Sequence, residues 1–125
     1  MATDTSSADN RAKAGNAGAV SHTVAVMHAH RENAELQRAA CKALMIMVMD
    51  SADNRAKAGN AGAVGATVVA MYTHRKDAEL QRTACKALMI MASDSADNRA
   101  KAGNARAVFA TVAAMHTHRE KESCN

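Results

Sequence analysis

The sequence contains no proline and no tryptophan, and only one tyrosine and one phenylalanine. With aromatics this scarce, there is no stacking platform for nucleic-acid bases. The formal charge of +4, with a pI near 9.2, then marks a mildly basic, solvated surface that speeds encounter with acidic partners. No apolar run approaches membrane-spanning length. The opening MATDTSSADN has neither the basic n-region nor the apolar h-region of a secretory signal. The three cysteines, Cys41, Cys85 and Cys124, are odd in number and show no CxxC spacing, which argues against a disulfide framework and a zinc knuckle. A reducing, soluble setting in the cytoplasm or nucleus is the expectation, with no membrane partner.

Catalytic machinery is also missing. The AGNAG string lacks both the Lys-Ser/Thr pair and the preceding strand of a phosphate loop. No acidic pair, Ser-His-Asp set or activated cysteine can be placed. The expectation is a chain that is not an enzyme and takes no cofactor.

The apolar content that is present, 48% of the chain, is Ala, Val, Leu, Ile and nine Met. Ala, Leu and Met favour helix, and Met fills irregular gaps between helices, so an all-α protein with closely spaced helices is expected. At 125 residues it forms one domain with a modest core.

The dominant signal is internal repetition. SADNRAKAGNAGAV begins at Ser7, recurs unchanged at Ser51 and returns at Ser95 with Arg106 as its single change, a period of 44 residues both times. HRENAELQRAACKALMIM, from His30, recurs from His74 with three differences. A fixed period of about 40–47 residues is the signature of stacked two- or three-helix units. Within one unit, Ser51 or Asp53 caps a short helix that runs through Asn60, and Gly62 supplies the turn that ends it. A second helix follows from Ala63 to Thr73, with Val64, Val68 and Met71 on one face. His74-Arg75-Lys76-Asp77 is the loop. A longer third helix runs from Ala78 to Ala92, with Leu80, Ala84, Ala87, Leu88 and Met91 as its buried stripe. Cys41 and Cys85 sit at equivalent places in such stripes and are expected to be buried free thiols.

Asn54-Arg55, the Ala61-Gly62-Ala63-Val64 run and the Leu80-Gln81, Ala84, Ala87, Leu88 pattern resemble the armadillo repeat family over residues 7–125. HEAT-type units are the nearest alternative, but they lack the short, Gly-terminated first helix. The resemblance implies a right-handed α-solenoid of about two and two-thirds three-helix repeats. Its divisions would be a tail (1–6), repeat 1 (7–50), repeat 2 (51–94), an incomplete repeat 3 (95–118) and a charged tail (119–125).

In that family the third helices line a concave face that holds extended peptides. The resemblance therefore implies a ligand ladder of Arg38, Lys42, Ile46 and Met49, continued by Arg82, Lys86, Ile90 and Ser93 and flanked by Met45 and Met89. The family's usual Asn clamp would fall at Ile46 and Ile90, and its Trp at Lys42 and Lys86. With those residues replaced, recognition of basic peptides is not supported, and an acidic, amphipathic protein segment is the expected ligand. The alternative is that the lysines are solvated charges and the isoleucines pack against their neighbours.

Because the third unit stops after its second helix, Val108, Phe109, Val112 and Met115 are expected to form an open end. Arg106 stands where the turn glycine stands in the other units, so that turn is expected to be remodelled. The open end suits self-association, a place in a larger complex or a fragment of a longer array. Near-identity of the units also fits an engineered or recently duplicated array with no evolved ligand. His28 and His30 recur as His116 and His118, but residues two apart point different ways on a helix, so surface roles are favoured over metal binding. In the Met45-x-Met47-x-Met49 run, Met47 belongs to the core stripe and the other two do not.

Overall fold

The computed structural model describes residues 9–10, 18–93 and 95–105. Among the described residues the regular structure is all α-helix and there is no strand. The elements are α1 (Ala19–Ala29), α2 (Ala34–Val48), α3 (Ala52–Asn60), α4 (Ala63–Thr73) and α5 (Ala78–Ala92). Residues 96–105 form a further helical stretch, α6. The expected second and third helices of the middle unit coincide with α4 and α5. Residues 1–8, the second helix of the third unit, Arg106, His116, His118, Cys124, the charged tail and the open-end set Val108, Phe109, Val112 and Met115 lie outside the described residues.

Four of the described helix starts are set by a local side chain, and the other two follow a glycine. The Asn33 and Asp77 carboxamide and carboxylate oxygens accept from the N–H groups of Leu36 and Leu80, both at 3.0 Å, at the heads of α2 and α5. Ser51 and Ser95 hydroxyls accept from Asn54 and Asn98 N–H groups, both at 3.1 Å, at the heads of α3 and α6. Each such cap stabilises its helix by about 1 kcal/mol. Ser51 is therefore the cap, while Asp53 lies within the first turn and pairs with Lys57 at 3.1 Å. Gly62 turns α3 into α4 with φ +83°, and Gly18 precedes α1 with φ +81°, a region that penalises any residue with a Cβ. Asp50, at φ 56°, turns α2 into α3; Asp tolerates this conformation better than most residues.

The core runs through all these helices. Val20, Val24 and Met27 come from α1; Cys41, Leu44, Met47 and Val48 from α2; Ala58 from α3; and Leu80, Ala84, Ala87 and Met91 from α5. The two long helices, α2 and α5, pack most extensively against each other. Many of the contacts are made by alanine, which lets helix axes approach. Helix α4 is buried nearly all round, through Ala63, Val64, Ala66, Thr67, Val68 and Ala70, rather than along one face, while Met71 is half-buried. It is wedged among α1, α3 and α5. The Thr67 hydroxyl is satisfied by donating to Ala63 O at 2.8 Å.

Two kinds of side chain close helix C-termini, and both recur 44 residues apart. Gln37 Nε2 donates to Met27 O (3.1 Å) and His30 O (2.9 Å), and Gln81 Nε2 donates to Met71 O (2.8 Å) and His74 O (3.1 Å). Asn54 and Asn98 Nδ2 atoms donate to Met47 O and Met91 O, both at 2.8 Å. These bonds satisfy carbonyls that a helix end leaves without an intrahelical partner. Asn98 Nδ2 also reaches Arg55 O at 3.0 Å, which ties α6 to α3.

One expectation fails. Cys41 is fully buried, but Cys85 is exposed. The two long helices pack on each other, so each turns a different side toward its partner. Identical sequence positions thus differ because their neighbours differ.

Candidate partner-binding face

The long helices α2 and α5 each carry a polar stripe pointing away from the core. On α2 it holds Lys42, Ile46 and Met49, spaced so that they share one helix face. Lys42 is exposed, Ile46 is 43% exposed and Met49 is 37% exposed. On α5 the matching stripe is Arg82, Lys86, Met89 and Ser93, all exposed, with Met89 the most open large apolar residue at 66%. The Ser93 hydroxyl donates back to Met89 O at 3.0 Å. Ile90 is half-buried and packs on the core, so Met89 is the apolar residue that α5 presents. Met45 is half-buried, and Met47 is buried within the core.

Arg38 is engaged inside the molecule. Its guanidinium pairs with the Asp77 carboxylate, and its Nε lies 3.8 Å from Glu79 Oε2, so α2 is bridged to the head of α5. The Leu80 N–H bonded to the Asp77 carboxylate, together with the Arg38 and His74 charges, holds that carboxyl below its ordinary range against partial desolvation. His74 adds a second link, its Nε2 donating to Arg31 O at 2.7 Å. Lys42, Arg82 and Lys86 make no ion pair with any described residue. Positive charge with no described partner therefore stands near the middle of each long helix, at Lys42 and Lys86, and on α5 also a turn earlier at Arg82, with exposed apolar side chains toward each C-terminal end.

Elsewhere the described surface offers little enclosure. The space between α1, α2 and α4, lined by Met27, Gln37, Ala66 and Ala70 among others, holds about 10 Å³, room for one water. Among the described residues, no three His, Cys, Asp or Glu side chains gather where they could hold a metal. His28 and His30 are exposed at the end of α1. No described helix is long and apolar enough to cross a membrane.

The sequence pattern did not mark Gln37, Asn54, Gln81 and Asn98 as structural bonds. The available signal was a carboxamide repeated in register inside an otherwise apolar helical stretch. Comparison with known proteins found no matching family model, curated protein or solved structure.

Proposed function

We propose that the chain is a non-enzymatic protein–protein interaction scaffold of armadillo-repeat type, which holds an acidic, amphipathic partner segment along its long helices. The observation that carries this is the stripe of Lys42, Arg82 and Lys86, which pair with no described carboxylate, beside exposed Ile46, Met49 and Met89. Carboxylates on a partner would meet the first set, and apolar side chains the second. The short–medium–long order of α3, α4 and α5, with a positive-φ glycine between the first two, supports the armadillo reading of the architecture. So does the recurrence of the same side-chain bonds 44 residues apart.

Panning a random peptide library on the full chain tests the reading. Recovered peptides should alternate acidic and apolar residues, and Lys42→Glu with Lys86→Glu should abolish their binding while circular dichroism stays unchanged. Recovery of peptides with no acidic bias, or binding indifferent to the two substitutions, would count against this face. A second reading, a subunit that joins a larger complex through an open helix face, is favoured by the exposure of Cys85 where Cys41 is buried.

A further inference from the structure

Equivalent positions of α2 and α5 differ in exposure in a directional way. On α2, Gln37, Cys41, Leu44 and Val48 are all buried. On α5 the same positions are less covered: Gln81, Leu88 and Ala92 are half-buried and Cys85 is exposed. The reverse holds for a second stripe. Leu80, Thr83, Ala87 and Ile90 of α5 are each more covered than Leu36, Ala39, Ala43 and Ile46 of α2. Since α2 and α5 pack on each other, the first stripe is the leading face of α2 and the second is the trailing face of α5. Helix α5 thus repeats a leading face whose chemistry is already known from α2, with no described helix on it.

The electrostatics break off at the same place. Arg38 finds Asp77 and Glu79 at the head of the helix that covers it. Arg82, 44 residues on, has no ion pair with any described residue.

We infer that the leading face of α5 docks a single amphipathic helix from a partner polypeptide. That helix presents apolar, small, small and β-branched residues at i, i+3, i+7 and i+10, as α5 itself presents Leu80, Thr83, Ala87 and Ile90, and carries a carboxylate in its first turn for Arg82. Two observations support this occupant: continuity with the α2–α5 interface, and the uncompensated charge of Arg82. A second copy of the chain does not fit. If its α2 lay on α5 in the same register, its helical residues 9–10 would fall on residues 97–98 of the first copy. That place is held by Asn98, buried and bonded to Arg55 O and Met91 O. The site is separate from the charged stripe proposed above, although Arg82 borders both.

The test uses the full chain carrying Cys124→Ser, so that Cys85 is the one thiol exposed among the described residues. The probe is a synthetic peptide of residues 74–93, HRKDAELQRTACKALMIMAS, with serine in place of its cysteine and a fluorophore at its N-terminus. It should bind one to one by anisotropy and gain helicity. At about ten times its Kd, it should slow alkylation of Cys85 by iodoacetamide about tenfold. Peptide variants Asp77→Lys and Glu79→Lys should weaken binding about three- to fivefold, and Arg82→Glu in the chain should reverse that order. Absence of binding would overturn the inference, as would binding that leaves Cys85 alkylation unchanged. Loss of peptide binding in the chain carrying Lys42→Glu and Lys86→Glu would move the helix to the charged stripe and overturn it too, whereas failure of this peptide to bind leaves that stripe's reading intact. A dimer by light scattering, with Cys85 protected before any peptide is added, would make a second copy the occupant.

Discussion

Gly59 and Gly103 occupy the same place in the sequence unit and meet different surroundings. A Cβ on Gly59 would overlap the side-chain amide oxygen of Asn98 and lie 3.1 Å from its Cγ, whereas a Cβ on Gly103 would meet nothing within 4 Å. Asn98 cannot swing aside without losing its bonds to Met91 O and Arg55 O. Gly59→Ala should therefore destabilise the protein by about 1–3 kcal/mol. Gly103→Ala should stabilise it by about 0.5–1 kcal/mol, because alanine is the better helix former. Urea denaturation of the two variants checks this. Equal effects would mean that the approach of α3 to α6 does not depend on the missing side chain. The glycines are conspicuous in the sequence, but nothing in it distinguishes the crowded one from the free one.

At the scale of elements, Asp77 has two tasks. It caps α5 through Leu80 N–H and pairs with Arg38 of α2. Its carboxyl is held below the ordinary range in the folded protein. The stability it contributes is thus fully present above the unfolded carboxyl's pKa of about 3.9, and is lost as pH falls through the lower folded value. Asp77→Asn keeps a cap, as Asn33 shows on α2, but removes the charge. The variant should be less stable at neutral pH and lose less of its urea midpoint between about pH 5 and pH 2. Parallel midpoint-versus-pH curves would show that the bridge contributes nothing to stability. The helix spans of the middle unit and a cap at Ser51 were legible in the sequence because they are local, Ser51 acting on an N–H three residues away, while the Asn33 and Asp77 caps were not marked. The Arg38 bridge was not legible, because it joins residues 39 apart. The sequence placed Arg38 on the ligand ladder; the fold also engages it within the molecule.

For the molecule as a whole, the deeper of the two described thiols reports on opening. Cys41 sits beneath α5 with no exposed surface, and burial pushes its thiol up to about 11. Its alkylation near pH 8 should require unfolding and should follow the loss of helical circular dichroism as urea is added. Reaction in native buffer would mean that α2 and α5 separate easily. The same comparison marks the limit of sequence reading for the candidate site. The charged stripe was an expectation implied by the family resemblance, and spacing added only that Lys42 and Lys86, four residues from Arg38 and Arg82, share their helix face. Which apolar residue stands beside it was not readable, since Ile46 is exposed on α2 while Met89, not Ile90, is exposed on α5. Copies with one sequence acquire different surfaces from their place in the order.

The bonds from Asn98 to Met91 and Arg55 join residues of adjacent units only. Recombination between the matching SADNRAKAGNAGAV stretches would therefore add or remove 44 residues at a stroke and rebuild the same joint on either side of the splice. Length in such a gene can change by whole steps without passing through a broken intermediate, which makes the number of units the most readily varied property of the chain.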